Sequence, residues 1–221
     1  MFEKENNVKG NKKTIIIAII AAVVVLAIAG VAIISMNKND EPQIGQDKTI
    51  KLYDELTKKG KYNFNIFLNE ENKMNYSKDE KVAYVDTTFE GEESKYVIKD
   101  GNSYLINDED MVYYTYHNNE MDLRKIESEL EKVKDLEYGV GKEKIENKEY
   151  KYEEYNTSTN FLFKYFDDLE DKDVKSRFYY DGDKLVYIKT ILGDYEELLK
   201  VDISYNVNSK LFEIPEDYKE A

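Results

Sequence analysis

Apolar and polar residues alternate along much of the chain from residue 61 onward. In residues 61–68, KYNFNIFL, every second residue is apolar, which is the period of a β-strand with one buried face. Further short runs of strand-forming residues follow at 73–78, 81–89, 95–99, 103–107 and 111–116. The breaks are as short as Asp100-Gly101, a two-residue hairpin signal. Such connections leave no room for crossover helices, so the pattern predicts an antiparallel meander.

Strand patterns return in the last third of the chain. Residues 142–147 and 148–155 predict one hairpin, residues 177–191 predict another that turns at Asp181-Gly182, and residues 198–207 predict a strand with one buried face. Residues 160–172 fit either a short helix or a loop. Pro215 has no N–H to donate, so we expect Phe212 and Ile214 to dock on the core and the chain then to leave the sheet.

Two segments show helical spacing instead. The first is 48–59, with Asp47 as N-cap and Gly60 just past its end. The second is 121–137, whose apolar face consists of Leu123, Ile126, Leu130, Val133 and Leu136. Together these elements predict an α+β fold, a mostly antiparallel sheet with two helices packed on it.

A different pattern precedes the alternating region. Residues 15–34 are all apolar or glycine, and a helix of that length spans about 30 Å, the thickness of the hydrocarbon core of a bilayer. We therefore predict a transmembrane helix over 14–35. A cleaved signal peptide is the alternative, because Ala27 and Ala29 form an A-x-A pattern, but the apolar run continues beyond that point.

The flanking charges predict the orientation. Lys12 and Lys13 adjoin the apolar run, and Lys4 and Lys9 precede them, so the positive-inside rule places residues 1–13 in the cytoplasm as a short tail. Residues 36–46 hold Pro42 and Gly45 and predict a linker. Residues 47–221 then form an extracytoplasmic domain, held at the cell membrane by a single-pass anchor.

Composition narrows the function classes. The formal net charge is −14, which argues against nucleic acid as a partner because phosphates require clusters of Lys and Arg. The chain has no cysteine, so disulfides, thiolate metal sites and a lipid-modified cysteine are excluded. Its 20 tyrosines and 9 phenylalanines favour half-buried strand surfaces over a disordered chain.

No pattern in the chain indicates a reaction. His117 is the one histidine, and it follows a strand in YYTYHNNEM without a nucleophile motif around it. The acidic run 167–173, DDLEDKD, lacks the glycine and the ligand spacing of an EF-hand loop. We therefore predict a protein that is not an enzyme and that holds no cofactor and no metal.

Four segments carry a resemblance to a known family. They are KYVIKDGNSYLIN at 95–107, KEKIENKEYKYEEY at 142–155, FYYDGDKLVYIKT at 178–190 and LFEIPEDY at 211–218. In this order, with the two helices, the domain resembles the LolA-like superfamily, which contains the outer-membrane lipoprotein carriers and related envelope proteins. The resemblance implies an incomplete, half-open antiparallel barrel with helices over its concave apolar face. Unlike the carriers, this chain has an anchor and no arginine that matches a carrier motif.

The resemblance leads to two functional hypotheses. In the first, the concave face is a binding site for a lipid or another apolar ligand, and Leu123, Ile126, Leu130 and Val133 form a cover helix. The expected lining residues are Tyr62, Phe64, Ile66, Tyr96, Ile98, Tyr104 and Ile106. In the second, these aromatic residues are ordinary packing, and the domain is a structural or sensing partner of another envelope protein.

Overall fold

Antiparallel strands form most of the domain in the computed structural model. The structure describes residues 47–117, 125–157 and 174–221. The expected tail, transmembrane helix and linker over 1–46, the residue Leu123 and the ambiguous segment 160–172 lie outside these ranges. Within them, no helix is long and apolar enough to cross a membrane.

Two α-helices and twelve β-strands make up the described part. The helices are α1 (Lys48–Lys59) and α2 (Lys125–Glu131). The strands of the first half are β1 (Lys61–Phe67), β2 (Lys73–Asp79), β3 (Val82–Phe89), β4 (Glu92–Lys99), β5 (Asn102–Asn107) and β6 (Val112–Tyr116). Those of the second half are β7 (Tyr138–Ile145), β8 (Lys148–Asn156), β9 (Val174–Asp181), β10 (Lys184–Leu192), β11 (Tyr195–Ser204) and β12 (Lys219–Glu220).

All twelve strands belong to one open sheet, in the order β12-β6-β5-β4-β3-β2-β1-β11-β10-β9-β8-β7. Two antiparallel meanders, β1–β6 and β7–β11, are joined by the pairing of β1 with β11, where Asn63 lies opposite Ser204. The two ends of the sheet, β12 and β7, do not pair with each other. The predicted α+β class with a mostly antiparallel, unclosed sheet and two helices is therefore confirmed.

The sheet has two faces, which we name by what lies on them. The helix face carries Tyr62, Phe64 and Ile66 of β1, and these residues form one buried cluster with Leu56 of α1 and Leu130 of α2. The back face carries the intervening residues. In β1 the burial alternates strictly between the two sides, as the sequence pattern predicts.

The first helix agrees with its prediction in length, but its N-terminus differs in detail. α1 covers Lys48–Lys59, and Gly60 ends it in the left-handed conformation, at φ 61°, with its N–H bonded to Leu56 O. Asp47 occupies the N-cap position, yet its side chain makes no capping hydrogen bond. The capping acceptor is instead Glu153, from the distant strand β8.

The second helix ends earlier than the predicted residue 137. α2 is described over Lys125–Glu131, and residues 132–135 form turns in which Val133 N bonds to Leu130 O and Leu136 N to Val133 O. These i to i−3 bonds tighten the chain and end the helix early. The reason is that Tyr138 already belongs to β7. Ile126, Leu130 and Val133 are 0–1% exposed, so these three members of the predicted apolar face are packed, whereas Leu136 is 37% exposed.

The chain end crosses the back face of the first meander. Asn206 O accepts a hydrogen bond from the side chain of Asn63 at 3.0 Å, and the 3-10 turn Ser209–Phe212 contacts β3 and β4. Phe212 is buried, as expected, whereas Ile214 is only half-buried. However, the chain does not leave the sheet after Pro215, because β12 pairs in parallel with β6 at the sheet end.

Candidate functional site

The expected lining residues divide between the two faces of the sheet. Five of them lie on the helix face and are buried there: Tyr62, Phe64, Ile66, Tyr96 and Ile98. Tyr104 and Ile106 lie on the back face, because they pair with Val97 and Lys95, whereas Tyr96 pairs with Leu105 and Ile98 with Ser103. Placing all seven on one surface was therefore wrong. The segment SYLIN is apolar at three consecutive residues, so its sequence does not reveal which set faces inward.

The helix face is filled by side chains of the domain itself. Tyr62 and Phe64 are fully buried, and Leu56, Ile126, Leu130 and Val133 from the two helices and the turn after α2 belong to the same cluster. Burial of this kind favours the hypothesis that the aromatic strands pack against the helices. The role of the five residues in binding a ligand stays a prediction.

A buried ion pair connects α2 to the sheet. Lys78 Nζ donates to both carboxylate oxygens of Glu127, at 2.8 and 2.7 Å, and both side chains are only 7% exposed. Tyr62 Oη donates to the same carboxylate at 3.3 Å. Since a buried charge is tolerated only when it is paired, this contact fixes where α2 sits on the sheet.

A second buried carboxylate holds the start of α1. Glu153 accepts hydrogen bonds from Lys48 N at 2.8 Å and from Thr49 N at 3.0 Å, and also from the Thr49 hydroxyl. A negative charge at a helix N-terminus is favourable because free N–H groups point toward it. Next to it, Tyr138 Oη donates to Asp47 Oδ1 at 2.6 Å, which ties the first described residue to β7.

The back face of the second meander carries a network of charged and aromatic side chains, which we call the back-face cluster. It consists of Glu143, Tyr152, Glu154, Arg177, Tyr179 and Lys189. Glu143 Oε2 accepts from Arg177 Nη1 at 3.0 Å and from Tyr179 Oη at 2.5 Å, and its other oxygen accepts from Lys189. Arg177 Nε donates to Glu154 at 2.5 Å, and its guanidinium stacks on the Tyr152 ring at 4.7 Å.

These contacts set the acidity of Glu143. Burial alone would raise its pKa, but the hydrogen bonds from Lys189 and Tyr179 and the charges of Lys189 and Arg177 outweigh burial and hold the pKa below 4.5. Such a carboxylate contributes stability above its unfolded pKa, and this contribution is lost as the pH falls through the folded value.

We expect Glu143→Gln to lower the stability of the domain by roughly 1–3 kcal/mol at pH 7, because the charge-assisted hydrogen bonds are lost. As the pH falls below about 4.5 the difference from the unmodified chain should shrink, because the unfolded carboxylate takes up a proton first and the native carboxylate only at a lower pH. Urea unfolding at a series of pH values measures this. Glu149→Gln, at an exposed position of the neighbouring strand β8, is the matched control. A stability difference that is constant from about pH 7 to pH 3 would contradict the expectation.

One glycine of β7 makes room for this cluster. A Cβ atom at Gly141 would lie 2.5 Å from Tyr152 Cζ, so the tyrosine ring covers the strand at the point where a side chain is missing. The Tyr152 and Tyr179 rings lie 5.3 Å apart. The polar and aromatic surface thus reaches from β9 across β8 to β7, at the end of the sheet.

The histidine considered for catalysis lies at the surface. His117 is exposed just after β6, and its Nδ1 lies 3.1 Å from Asn102 Oδ1. In the part of the chain that the structure describes, no three His, Asp or Glu side chains come together to hold a metal ion. The absence of enzymatic activity stays a prediction.

No protein-family model matches this chain. No curated protein matches it either. One solved structure that is similar is an uncharacterized conserved protein from Thermus thermophilus, with 10% identity and a TM-score of 0.45 over 78% of this chain and 97% of that chain. Similarity at this level supports no conclusion about family or function.

Proposed function

We propose that the chain is a membrane-anchored, extracytoplasmic binding module whose domain recognises another protein of the cell envelope and catalyses no reaction. The observation that carries the proposal is the contrast between the faces of the sheet. The helix face is occupied by the domain's own helices, with Tyr62 and Phe64 fully buried. The back-face cluster combines arginine and tyrosine, residue types that are enriched in protein interfaces. Tyr179 is buried within it, whereas Tyr152, Glu143 and Arg177 remain partly exposed.

The anchor is the second part of the proposal. The apolar run over 15–34 and the adjoining Lys12 and Lys13 support a single-pass helix with a cytoplasmic N-terminus. Asp47, which follows the proposed linker, is bound to Tyr138 of β7. The anchor would therefore attach to the domain near β7, on the same half of the sheet as the back-face cluster.

A second candidate function is the binding of a lipid or another apolar ligand on the helix face. The resemblance to the LolA-like superfamily supports it, as an incomplete barrel would leave a concave space. One structural observation also favours it. The hydroxyl of Ser103 is buried on the helix face and has no hydrogen-bond partner among the described residues, and a polar group of a ligand would supply one.

Native mass spectrometry of residues 47–221 separates the two candidates. If the domain recognises a protein, we expect it to carry no lipid after purification and to take up no fluorescent fatty acid, because its apolar face is already filled. A bound lipid that is lost in Ser103→Leu, with the circular dichroism spectrum unchanged, would overturn the proposal in favour of the second candidate. Ile214→Leu, on the crossing chain end, is a control that should leave either result unchanged.

A further inference from the structure

The strands β6 and β7, near the two ends of the sheet, differ in whether another described strand pairs with their outer side. At one end, β6 is covered by β12, whose backbone continues the ladder through Lys219 N to Met111 O at 3.2 Å and Ala221 N to Tyr113 O at 3.0 Å. At the other end, no described strand pairs with the outer side of β7. β7 is eight residues long and pairs with β8 without a bulge from Tyr138 to Ile145. Its outward N–H and C=O groups form a ladder that another strand can continue.

The exposed side chains beside this edge on the helix-face side are mostly basic. Lys142 and Lys144 of β7 lie there with Lys151 of β8, and Glu149 is the one exposed acidic side chain that the two strands place beside them. Glu149 lies 3.3 Å from Lys142. In a chain with a net charge of −14, this edge is a local reversal of sign. Lysines at a sheet edge deter pairing with apolar strands, and they favour a strand that brings acidic side chains.

The back-face side of the same edge has a different character. Gly139 and Gly141 place no side chains there, and the Tyr152 ring extends over Gly141. Since Arg177 stacks on this ring and Tyr179 lies beside it, the ring is held in place. A side chain on this face of an added strand would lie next to the hydroxyl end of the Tyr152 ring, where an aromatic or apolar residue can pack against the ring.

We propose that β7 is a docking edge that binds an extended strand of a partner protein by β-augmentation, and that the strand alternates acidic with apolar or aromatic residues. The acidic residues face Lys142 and Lys144, and the others contact Tyr152. This inference rests on the proposed function, in which the partner is a protein. The attachment of Asp47 to Tyr138 places the edge beside the proposed tether, within reach of partners in the same membrane.

A second copy of the chain fits this edge less well. If two β7 strands paired about a two-fold axis centred on Lys142 or on Glu143, lysine would lie directly opposite lysine. Like charges placed opposite each other across a strand pair are destabilising. The edge therefore favours a different chain with acidic residues.

Hydrogen exchange of the full chain in lipid nanodiscs tests the proposal. The probe is a labelled ten-residue peptide of alternating Glu and Val, compared with one of alternating Lys and Val. We expect the Glu–Val peptide to bind, to slow exchange at 138–145, and to bind more weakly at higher salt. The Lys–Val peptide should bind at least tenfold more weakly, which corresponds to a difference of about 1.4 kcal/mol in binding free energy.

Two double variants separate this edge from general electrostatics. Lys142→Glu with Lys144→Glu should weaken binding of the Glu–Val peptide about tenfold, as expected for two exposed charge contacts reversed. Lys200→Glu with Lys210→Glu, which makes the same charge change at exposed positions away from β7, should leave binding within about twofold, because distant exposed charges are screened.

Three results would contradict the proposal that β7 is a docking edge. The first is that the Glu–Val peptide does not slow exchange at 138–145, and the second is that the two double variants weaken binding equally. The third is that 138–145 is protected in a dimer of the chain without peptide. None of them bears on whether the helix face holds a lipid. The mass spectrometry above therefore tests the proposed function independently of this edge.

Discussion

Leu130→Asp is expected to destabilise the domain strongly. Leu130 is fully buried in the cluster that α2 shares with the sheet, together with Ile126 and Val133. An aspartate there would place an unpaired charge in an apolar environment, at a cost above about 4 kcal/mol. Since a domain of this size has a stability of about 5–15 kcal/mol, the loss should remove at least about a quarter of it and lower the melting temperature markedly.

The comparison with Leu136 makes this a sharp test. Leu136 belongs to the same apolar stripe in the sequence, but it is 37% exposed in the structure. Leu136→Asp should therefore change the stability by no more than about 0.5–1 kcal/mol. Thermal melts followed by circular dichroism measure both variants. If Leu130→Asp melts at the temperature of the unmodified chain, α2 does not pack on the sheet.

Breaking the buried ion pair is the second large effect that we expect. Lys78→Met alone should destabilise the domain by about 3–5 kcal/mol, because it leaves the Glu127 carboxylate buried without a counter-ion. The double variant Lys78→Met with Glu127→Leu should recover most of this loss, since no buried charge remains. Tyr62 then loses an acceptor for its hydroxyl, which limits the recovery by about 1 kcal/mol.

Urea unfolding of the four members of this cycle gives the coupling energy of the pair. The exposed pair of Lys184 and Asp202, 2.7 Å apart, is the matched control, and its coupling should be no more than about 1 kcal/mol. A double variant that is less stable than Lys78→Met by the full cost of Glu127→Leu would show that the two side chains act independently. The ion pair would then not be what fixes α2 on the sheet.

The strands were the part of this fold that the sequence predicted well. Alternation in β1 has one answer, because Tyr62, Phe64 and Ile66 are apolar and the residues between them are polar apart from the strand ends. In β5 the sequence does not determine which side chains face the core. Tyr104, Leu105 and Ile106 are all apolar, so the choice of inward face depends on the neighbouring strands, which place Leu105 in the core.

The end of the second helix shows where local periodicity is not enough. The apolar spacing continues to Leu136, yet the described helix ends at Glu131. Pairing of Tyr138 with Tyr155, and the bond from Tyr138 to Asp47, commit the chain to β7 directly afterwards. These partners are distant in sequence, and the local pattern contains no information about them.

The charged residues of the interior were missed for a related reason. Charged side chains usually lie at the surface, so nothing in the local pattern places Lys78, Glu127 and Glu153 inside. A signal was present in the strands: Lys78 and Glu153 occupy inward positions of β2 and β8, in line with Tyr76 and Tyr155. A charge at an inward strand position predicts a buried partner, although the sequence alone does not identify it.

The pairing of β1 with β11, which joins the two meanders, can form only after both strands have been synthesised. β1 is among the first strands to be synthesised, and its partner β11 follows more than a hundred residues later. At about 5–20 residues per second, β1 would remain on the edge of a half-built sheet for roughly seven to thirty seconds. During that time its apolar side, Tyr62, Phe64 and Ile66, lies next to an unpaired ladder, which is the arrangement that invites pairing with other chains. The first meander is therefore most in need of a chaperone in the period before β11 has been synthesised.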